Sequence, residues 1–316
     1  MEINAFSLDQ VNVTDDYVVN AVNLEVAYLQ EFEVDRLLAG FRETAGLDTK
    51  GAVRYSGWEN SLIAGHTLGH YLTACAQAYK SAMVSDENKK LLFKKIKDIV
   101  DGLLECQVFT KGRKGFVFGA LILDRANVEY QFDNVEHGKT DIMKEAWVPW
   151  YTMHKLIAGL VDVYNLTGYE NAKVVASGLG DWTYNRASGW SDKLRKKVLA
   201  IEYGGMNDCL YDLYKITMDP KHAEAAHIFD EEELFEKVKS GADNVLNNYH
   251  ANTTIPKFMG ALNRYETLHG KKLNGEEVDA SRYLEYAKAF WQMVIDKHTY
   301  ITGGNSEWER FGLDSV

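Results

Sequence analysis

The sequence contains little cysteine and little proline. Its three cysteines, Cys75, Cys106 and Cys209, are widely spaced and odd in number, which excludes a disulfide framework and a Cys-x-x-Cys metal pair. Each lies in an apolar helical pattern, so we expect buried thiols that serve packing. With three prolines and no linker rich in serine, glycine or proline, the chain shows no internal boundary. Residues 1–316 are therefore predicted to form a single helical domain.

Long hydrophobic runs and clusters of basic residues are also missing. No run approaches the roughly 18 apolar residues of a membrane helix, and residues 1–6 lack the basic and apolar segments of a signal peptide. We expect a cytoplasmic protein without a membrane partner, or an exported one if a signal has been removed. The net charge of −11 argues against nucleic acid, which requires clustered Lys and Arg. A neutral carbohydrate fits this charge better.

Most of the chain has the apolar periodicity of amphipathic helices. Asp15 or Asp16 can cap the first of them. Residues 112–144 interrupt the pattern, and within them residues 116–123 could form a strand or a buried loop. A connection of this length is often functional. Helices are predicted at residues 17–41, 61–79, 89–107, 149–167, 170–185, 205–217, 220–247 with a break, 254–268 and 281–297.

A repeat of about fifty residues underlies these helices. Tyr164, Tyr214 and Tyr265 occupy equivalent places at the end of a helix, and successive members are 50 and 51 residues apart. Two helical stretches in each period indicate stacked helical hairpins that need their neighbours to bury their apolar faces. The predicted fold is all-α, a closed (α/α)6-type toroid of helical hairpins. An open α-solenoid is the second choice.

Polar and aromatic residues collect near the start of the first helix of each repeat. In a toroid these helices line the inside and run the same way, so the clusters would converge at one end of the central cavity. Exposed helix N–H groups at that rim favour oxygen-rich ligands, and aromatic rings offer flat faces to sugars. The candidate substrate contacts are Trp58, Glu59, His66, His70, Trp150, Tyr151, His154, Glu202, Asn207, His250 and Asn252.

Several of these residues also have a purely structural interpretation. His66 and His70 stand four apart on one helical face, which suits a metal, but no third ligand is near in sequence. We therefore predict no metal site there. His154 could be a satisfied structural histidine, and Glu59 and Glu202 could lie at the surface. The acidic run at residues 230–233 is predicted to be a solvated helix start, because acids there complement the helix dipole.

The most suggestive chemistry lies near the end of the sequence, in residues 301–312. There Glu307 and Glu309 flank Trp308. A carboxylic acid beside an indole loses solvation, stays protonated nearer neutral pH and can protonate a leaving group. Glycosidases pair such an acid with a second carboxylate. Two glutamates one residue apart in an extended loop point the same way, so they compete for one role, and Glu307 is retained as a substrate contact.

Six motifs, in the same order along the chain, resemble the bacterial β-L-arabinofuranosidase group, once catalogued as a domain of unknown function. The resemblance covers about residues 5–316. It implies an (α/α)6 catalytic barrel and a retaining hydrolase that releases L-arabinofuranose from plant glycans or glycoproteins. The motifs are YSGWE (55–59), GHTLGHYL (65–72), WYTMHK (150–155), YGGMN (203–207), HANTTIPK (250–257) and TGGNSE (302–307).

The resemblance also implies roles for particular residues. The general acid/base of the family is a glutamate in a Glu-x-Phe setting just after the Thr-Gly-Gly motif, a position that Glu309 matches. His154 falls at a substrate-contacting histidine, and residues 250–252 lie near another. In the family the nucleophile is a cysteine thiolate on zinc, which is held by three cysteines and a glutamate.

The chain departs from that pattern because its cysteines do not occupy the family's ligand positions. The Glu-x-Cys and Cys-Cys motifs lie downstream of the acid/base, so we expect a chain truncated before the zinc half of the site, with no zinc of its own and little or no activity. The barrel would be incomplete or closed by a partner, and a homo-oligomer is left open. The alternatives are a non-catalytic carbohydrate-binding or scaffold protein, and another (α/α)6 sugar enzyme such as an epimerase or an unsaturated uronyl hydrolase.

Overall fold

The computed structural model describes residues 5–315, and these are mostly helical. Residues 1–4 and residue 316 lie outside them. The prediction that residues 1–6 lack the features of a signal peptide therefore falls largely outside the described residues. None of the described helices is long and apolar enough to cross a membrane. The α-helices are α1 (Asp16–Glu31), α2 (Val34–Ala45), α3 (His66–Lys80), α4 (Asp86–Val108), α5 (Tyr130–His137), α6 (Pro149–Thr167), α7 (Glu170–Ala187), α8 (Asp192–Leu199), α9 (Met206–Thr217), α10 (Pro220–Ile228), α11 (Glu232–Lys239), α12 (Ala251–Leu268) and α13 (Ser281–Lys297).

Local sequence signals account for many of the helix starts. Asp15 accepts a hydrogen bond from the Val18 N–H and caps α1, as predicted. Ser85 and Ser191 cap α4 and α8 in the same way. Proline stands within the first turn of α6 and of α10, where its missing N–H costs nothing.

The prediction of one helix over residues 17–41 is wrong, because the helix breaks between α1 and α2. At the break Lys95 donates to the Phe32 carbonyl, and the Glu33 N–H donates to the Tyr55 hydroxyl over 2.8 Å. Two backbone groups that a continuous helix would use are therefore bonded by side chains from distant segments. This is tertiary packing overriding a correct apolar stripe.

The apolar periodicity of the sequence did not predict some of the short elements. Helices α5 and α8 have only eight residues each, too few for a stripe to emerge. The two-stranded hairpin of β1 (Lys272–Leu273) and β2 (Glu276–Glu277) turns through Asn274 and Gly275, both at positive φ, which is the signature of a type I′ turn. Residues 116–123 form a loop, with Phe116, Val117 and Phe118 buried, so the buried-loop alternative is confirmed.

The fifty-residue repeat appears as a repeated helix ending. Tyr164, Tyr214 and Tyr265 each lie three residues before the last residue of α6, α9 and α12. In each case the tyrosine carbonyl accepts the hydrogen bond of the N–H four residues later, at 2.9, 2.7 and 3.0 Å. The repeat predicted from sequence is therefore a structural one.

The chain separates into two compact units, one reaching to Trp182 and the other beginning at Thr183. In the first unit α3 packs along α6, and α4 packs on α2 and α3. The α3–α6 contact is close because of glycine: a Cβ on Gly69 would lie 2.1 Å from the Lys155 carbonyl oxygen, and one on Gly159 would lie 2.3 Å from the Gly69 oxygen. Beside this contact lies an aromatic core that includes Phe116, Phe132, Trp150 and Trp182.

In the second unit α9 packs on α10 and α12, and α13 packs on α11 and α12. Aromatic side chains dominate its core, where Phe258 stacks on Phe290 with ring centroids 4.0 Å apart and Phe235 contacts both Phe258 and Tyr286. Phe311, in the terminal loop, is buried against the same core. The loop that carries Glu309 is thus anchored by an aromatic residue two positions later. The one-domain prediction stays a prediction.

Candidate active site

Each predicted polar cluster lies at the start of a helix, as expected. The clusters precede or open α3 and α6 in the first unit, and α9 and α12 in the second. Within each unit two clusters are therefore carried by packed helices. That all four share one cavity stays a prediction.

Glu59 closes the start of α3. Its carboxylate accepts from the Gly65 N–H over 2.8 Å and from the Thr67 N–H over 3.3 Å, and the His66 Nδ1 lies 3.2 Å away. Gly65 has a φ of +101°, which a residue with a Cβ adopts at a cost. Burial raises the pKa of Glu59, but the hydrogen bonds from His66, Thr67 and Gly65 outweigh it and the net shift is downward. Glu59 is therefore an ionised helix cap.

Three histidines lie near one another on α3 and α6. The His66 ring is 6.3 Å from the rings of both His70 and Tyr151, and Tyr151 is 6.4 Å from His154. Partial burial of the His70 ring, with Lys155 and His66 beside it, lowers the pKa of His70 to about 4. Burial, reinforced by Lys155 and His70, holds the pKa of His154 well below its ordinary value. Both imidazoles are therefore neutral at neutral pH and can hydrogen-bond uncharged hydroxyl groups.

The aromatic candidates of the first unit divide by exposure. Trp58 is exposed and its ring lies 6.0 Å from that of His66, so it can offer a face to a sugar. Trp150 is 1% exposed and packs against Phe132 and Trp182. Its burial leaves no face for a ligand, so we correct its assignment to core packing. Tyr151 is buried beside the histidines.

In the second unit Glu202, His250 and Glu309 form a chain of contacts. The His250 Nδ1 donates to the Glu202 Oε1 over 2.7 Å, and its Nε2 lies 3.8 Å from the Glu309 Oε2. A ring nitrogen bonded to a carboxylate carries a proton, so Nδ1 is the donor to Glu202 and Nε2 is the nitrogen that faces Glu309. The three residues are 48 and 59 positions apart in the sequence, and the fold brings them together.

Backbone hydrogen bonds hold the terminal loop against the start of α12. The Ala251 N–H donates to the Glu309 carbonyl and the Phe311 N–H to the Tyr249 carbonyl, each over 2.9 Å. Arg310 adds a bond from its guanidinium to the Asn248 carbonyl. These bonds, with the bridge between His250 and Arg310, place the Glu309 side chain beside the imidazole.

The surroundings of Glu309 differ from the expected ones. Its side chain is 80% exposed, and Trp308 is itself 91% exposed. The indole therefore does not desolvate the carboxylate, and the explanation of its acidity by burial against Trp308 is wrong. Glu307 is exposed as well, and its backbone pairs with that of Arg310. Asn252 is exposed within the first turn of α12, where a ligand could reach it.

Asn207 is fully buried and serves structure. Its Nδ2 donates to the Asp230 Oδ1 and to the Lys257 carbonyl, both over 3.0 Å. A Cβ on Gly260 would lie 2.3 Å from the Asn207 amide, so the side chain fills the α9–α12 contact. Burial removes Asn207 from direct substrate contact, and we correct its assignment to an interhelical link.

Asp230 is a residue whose importance the sequence analysis missed. It is 0% exposed and accepts hydrogen bonds from the Tyr211 hydroxyl and from Arg264, each over 2.7 Å, in addition to Asn207. The prediction of a solvated helix start is therefore wrong for Asp230. The periodicity of the sequence could not reveal this burial, because Arg264, the cation that pairs with Asp230, lies 34 positions further along the chain.

The next residue, Glu231, is partly exposed and forms an ion pair with the buried Lys257. Its Oε2 accepts from the Lys257 Nζ over 2.6 Å and from the Tyr203 hydroxyl over 3.1 Å. The Lys257 ammonium also lies 4.4 Å from the centroid of the Tyr203 ring. Tyr203 is fully buried, and the lysine covers one face of its ring. The pair fixes the segment that carries Glu202.

The cysteines are buried free thiols, as predicted. Burial raises the pKa of Cys75 and of Cys106 to about 12, and the Cys209 thiol donates to the Met206 carbonyl. Among the described residues, no group of three close metal-ligand side chains includes a cysteine. The residues present therefore do not fit a zinc–thiolate centre, which needs accessible, deprotonated thiols grouped around the metal.

Comparison with known proteins bears on the family and the fold. A search of curated proteins finds no match. Among solved structures, the GH127 β-L-arabinofuranosidase Ara127N from Geobacillus stearothermophilus T6 is 15% identical, with a TM-score of 0.60, and the match covers 96% of this chain and 48% of that one. The GH127 β-arabinofuranosidase BT3674 is 17% identical, with a TM-score of 0.61, over 98% of this chain and 46% of that one.

The likeness to these two structures shows the fold, and it confirms the predicted class, an all-α fold of (α/α)6-type helical hairpins. The chain spans about half the length of the solved structures it matches. The family model described as β-L-arabinofuranosidase, GH127 catalytic domain, matches residues 10–316, nearly the whole sequence. The chain therefore belongs to the GH127 β-L-arabinofuranosidase catalytic-domain family, whose members are glycoside hydrolases of the arabinofuranosidase kind.

Proposed function

We propose that this chain carries the acid/base part of a β-L-arabinofuranosidase site and acts on arabinofuranosides of plant glycans. Glu309 is the proposed acid/base. The observation that supports it is the contact chain from Glu202 through His250 to Glu309, with distances of 2.7 and 3.8 Å. Distances in free enzymes are often longer than in the substrate complex, so 3.8 Å is compatible with a working contact.

The proposed role of Glu309 is proton transfer. As the glycosidic C–O bond breaks, the protonated carboxyl gives its proton to the leaving oxygen, and its carboxylate later takes a proton from the water that adds to the anomeric carbon. Glu202 accepts the Nδ1–H of His250 and fixes the ring with its Nε2 toward the Glu309 carboxyl, so His250 can orient that carboxyl.

The proposed substrate is a neutral oligosaccharide. His70 in the first unit, which is neutral and exposed, and Asn252 in the second, which is exposed, are each suited to hydrogen bonds with uncharged hydroxyls. The net charge of −11 also fits an uncharged ligand better than a polyanion.

A second candidate function is carbohydrate binding without turnover. It is favoured by the three thiols, which are buried and, for Cys75 and Cys106, held protonated by a raised pKa. None of them is suited to attack an anomeric carbon. Under this second candidate, hydrolysis by this chain is slow or absent and sugar binding persists.

Hydrolysis of methyl β-L-arabinofuranoside tests the acid/base, because departing methoxide requires a proton. Glu309→Gln should lower any turnover by roughly 10²–10⁴-fold, while Glu307→Gln in the same loop should change it little. Unchanged hydrolysis by Glu309→Gln would refute the role of Glu309. If wild type shows no hydrolysis, calorimetric titration with the same sugar decides between the candidates: saturable binding supports the binding function, and its absence refutes both for this chain.

A further inference from the structure

A pocket of about 470 Å³ lies between α2 and α4 in the first unit, and none of its lining residues belongs to the candidate active site. Its volume is in the range of small-molecule sites, about 300–1,000 Å³. Charged side chains make up most of the lining, so the pocket is suited to a polar ligand. They are Asp35 and Arg42 on α2, Lys50 in the loop that follows, and Asp98, Asp101 and Glu105 on α4.

The guanidinium of Arg42 is buried in this lining without close hydrogen-bond partners. Arg42 is 5% exposed. Its Nη1 lies 3.5 Å from the Asp48 carbonyl oxygen and 3.5 Å from the Glu105 Oε2, and its Nη2 lies 3.9 Å from the Asp35 Oδ1. These distances exceed the roughly 2.7–3.2 Å of a good hydrogen bond, and the Nε–H has no acceptor among the described residues. Buried donors are normally satisfied, because leaving them unpaired is costly.

The charged groups around Arg42 also lie too far from one another for close hydrogen bonds. The Lys50 Nζ is 3.4 Å from the Asp35 Oδ1. A hydroxyl oxygen between a nitrogen and a carboxylate at such distances can accept from the first and donate to the second. The side chains of Asp35 and Glu105 are each 47% exposed, so a ligand can reach them. The pocket therefore presents both donors and acceptors to hydroxyl groups.

The charges around the pocket balance. Each of its four carboxylates has a basic partner, so there is no net charge to attract an anion such as phosphate or a cation such as a polyamine. The two pairs formed within α4 are direct hydrogen bonds, whereas those of Arg42 and Lys50 are long. A neutral ligand with several hydroxyls fits this arrangement. The four pairs are Arg42–Glu105, Lys50–Asp35, Lys94–Asp98 and Lys97–Asp101.

We propose that the α2–α4 pocket binds a neutral monosaccharide, free or as part of a glycan. Arg42 and Lys50 donate to its hydroxyls, and Asp35 and Glu105 accept from them. A sugar ring holds several hydroxyls at fixed positions, so binding it costs less conformational entropy than binding an open-chain polyol. The pocket gives the chain a second place to hold a glycan, and its existence does not depend on Glu309 or on hydrolysis.

A sugar titration followed by NMR tests the proposal on protein whose valine methyl groups are labelled with carbon-13. Val34 lines the pocket, and Val34→Ile identifies its signals by removing them. L-arabinose should shift these signals saturably, with a Kd on the order of 1–10 mM. D-galactose, which has the ring-hydroxyl configuration of L-arabinopyranose, should do the same. Because the Val34 signals report on the pocket itself, the absence of a saturable shift with both sugars would overturn the proposal.

Three further probes test the class of ligand. D-galacturonate adds a negative charge to the galactose ring, and protonated D-galactosamine adds a positive one. Glycerol has hydroxyls without a ring. Each should bind roughly tenfold more weakly than D-galactose. Equal or tighter binding of a charged sugar would overturn the assignment of a neutral ligand, and equal binding of glycerol would overturn the assignment of a sugar.

Substitutions in the lining test the roles of its side chains. Glu105→Ala removes an acceptor and Lys50→Ala removes a donor, and each should weaken L-arabinose binding roughly tenfold. Glu87→Ala is the matched control, because Glu87 is an exposed glutamate of α4 outside the pocket, and it should bind like wild type. Circular dichroism of each variant checks that the fold is retained. Wild-type affinity in both Glu105→Ala and Lys50→Ala would overturn the proposal.

Discussion

The carboxylate of Asp230 is fully buried, and the surrounding residues stabilise it. Asn207, Tyr211 and Arg264 donate to its two oxygens, and the guanidinium of Arg264 lies 4.0 Å from the Tyr283 ring centroid. A buried ion is tolerated only when it is paired and its oxygens are hydrogen-bonded. Because these partners come from α9 and α12, the carboxylate ties the two helices together.

Replacement of Asp230 by alanine should therefore be strongly destabilising. It leaves Arg264 as a buried cation without its carboxylate, a loss that typically costs about 3–5 kcal/mol. The free energy of unfolding, measured by urea denaturation, checks this. Glu233→Ala is the matched control in the same acidic run, because Glu233 and its partner Lys196 are both largely exposed and the change should have little effect. Equal effects of the two substitutions would contradict the buried role of Asp230.

At the scale of elements, the contact between α3 and α6 positions the histidines of the first unit. Gly69 stands between His66 and His70 on α3, and its missing side chain lets α3 approach the backbone of α6 near Lys155. The close approach brings Tyr151 and His154 beside the two histidines. Packing therefore requires glycine at position 69, the second glycine of the GHTLGHYL motif.

Gly69→Ala should destabilise the protein even though alanine is the better helix former. Helix propensity alone favours alanine by about 1 kcal/mol, but the new Cβ would lie 2.1 Å from a backbone oxygen that cannot move alone. We expect overpacking to dominate and the free energy of unfolding to fall by about 1–3 kcal/mol. Gly189→Ala, where no atom lies within 4 Å, is the control. A Gly69→Ala protein as stable as wild type would show that the helices can separate at no cost.

At the scale of the whole molecule, the family assignment favours hydrolysis, whereas the burial of the thiols argues against a cysteine nucleophile. The family model matches residues 10–316, while every cysteine of the chain is a buried free thiol. A thiolate nucleophile must be both deprotonated and accessible. The family assignment therefore says what kind of hydrolase the members of the family are, while none of the three thiols of this chain meets the requirement for a thiolate nucleophile.

Thiol labelling addresses that question directly. Since burial raises the pKa of Cys75 and Cys106 to about 12, both are protonated at about pH 8 and are shielded from reagents. We expect the folded protein to react with a disulfide reagent far more slowly than the same protein in urea, where all three thiols are free to react. Fast labelling of one thiol in the folded state would contradict this and would reopen a cysteine role.

The sequence by itself determined the fold class, most helices, the repeat and the places of the polar clusters. These follow from apolar periodicity and from caps such as Asp15, which act between residues close in the chain. Helix α6 was predicted with its observed ends because both its N1 proline and its terminal glycine are local signals. The motifs also led to Glu309.

Only the tertiary structure decided how exposed each residue is and which distant residue it contacts. It broke the first predicted helix at Phe32, buried Trp150, Asn207 and Asp230, and left Trp308 in solvent. It also placed Glu202 and Glu309 on opposite nitrogens of His250. Burial and pairing depend on residues that are distant in the sequence, such as Arg264, which lies 34 positions after Asp230. A pattern that repeats every three to four residues carries no information about such partners.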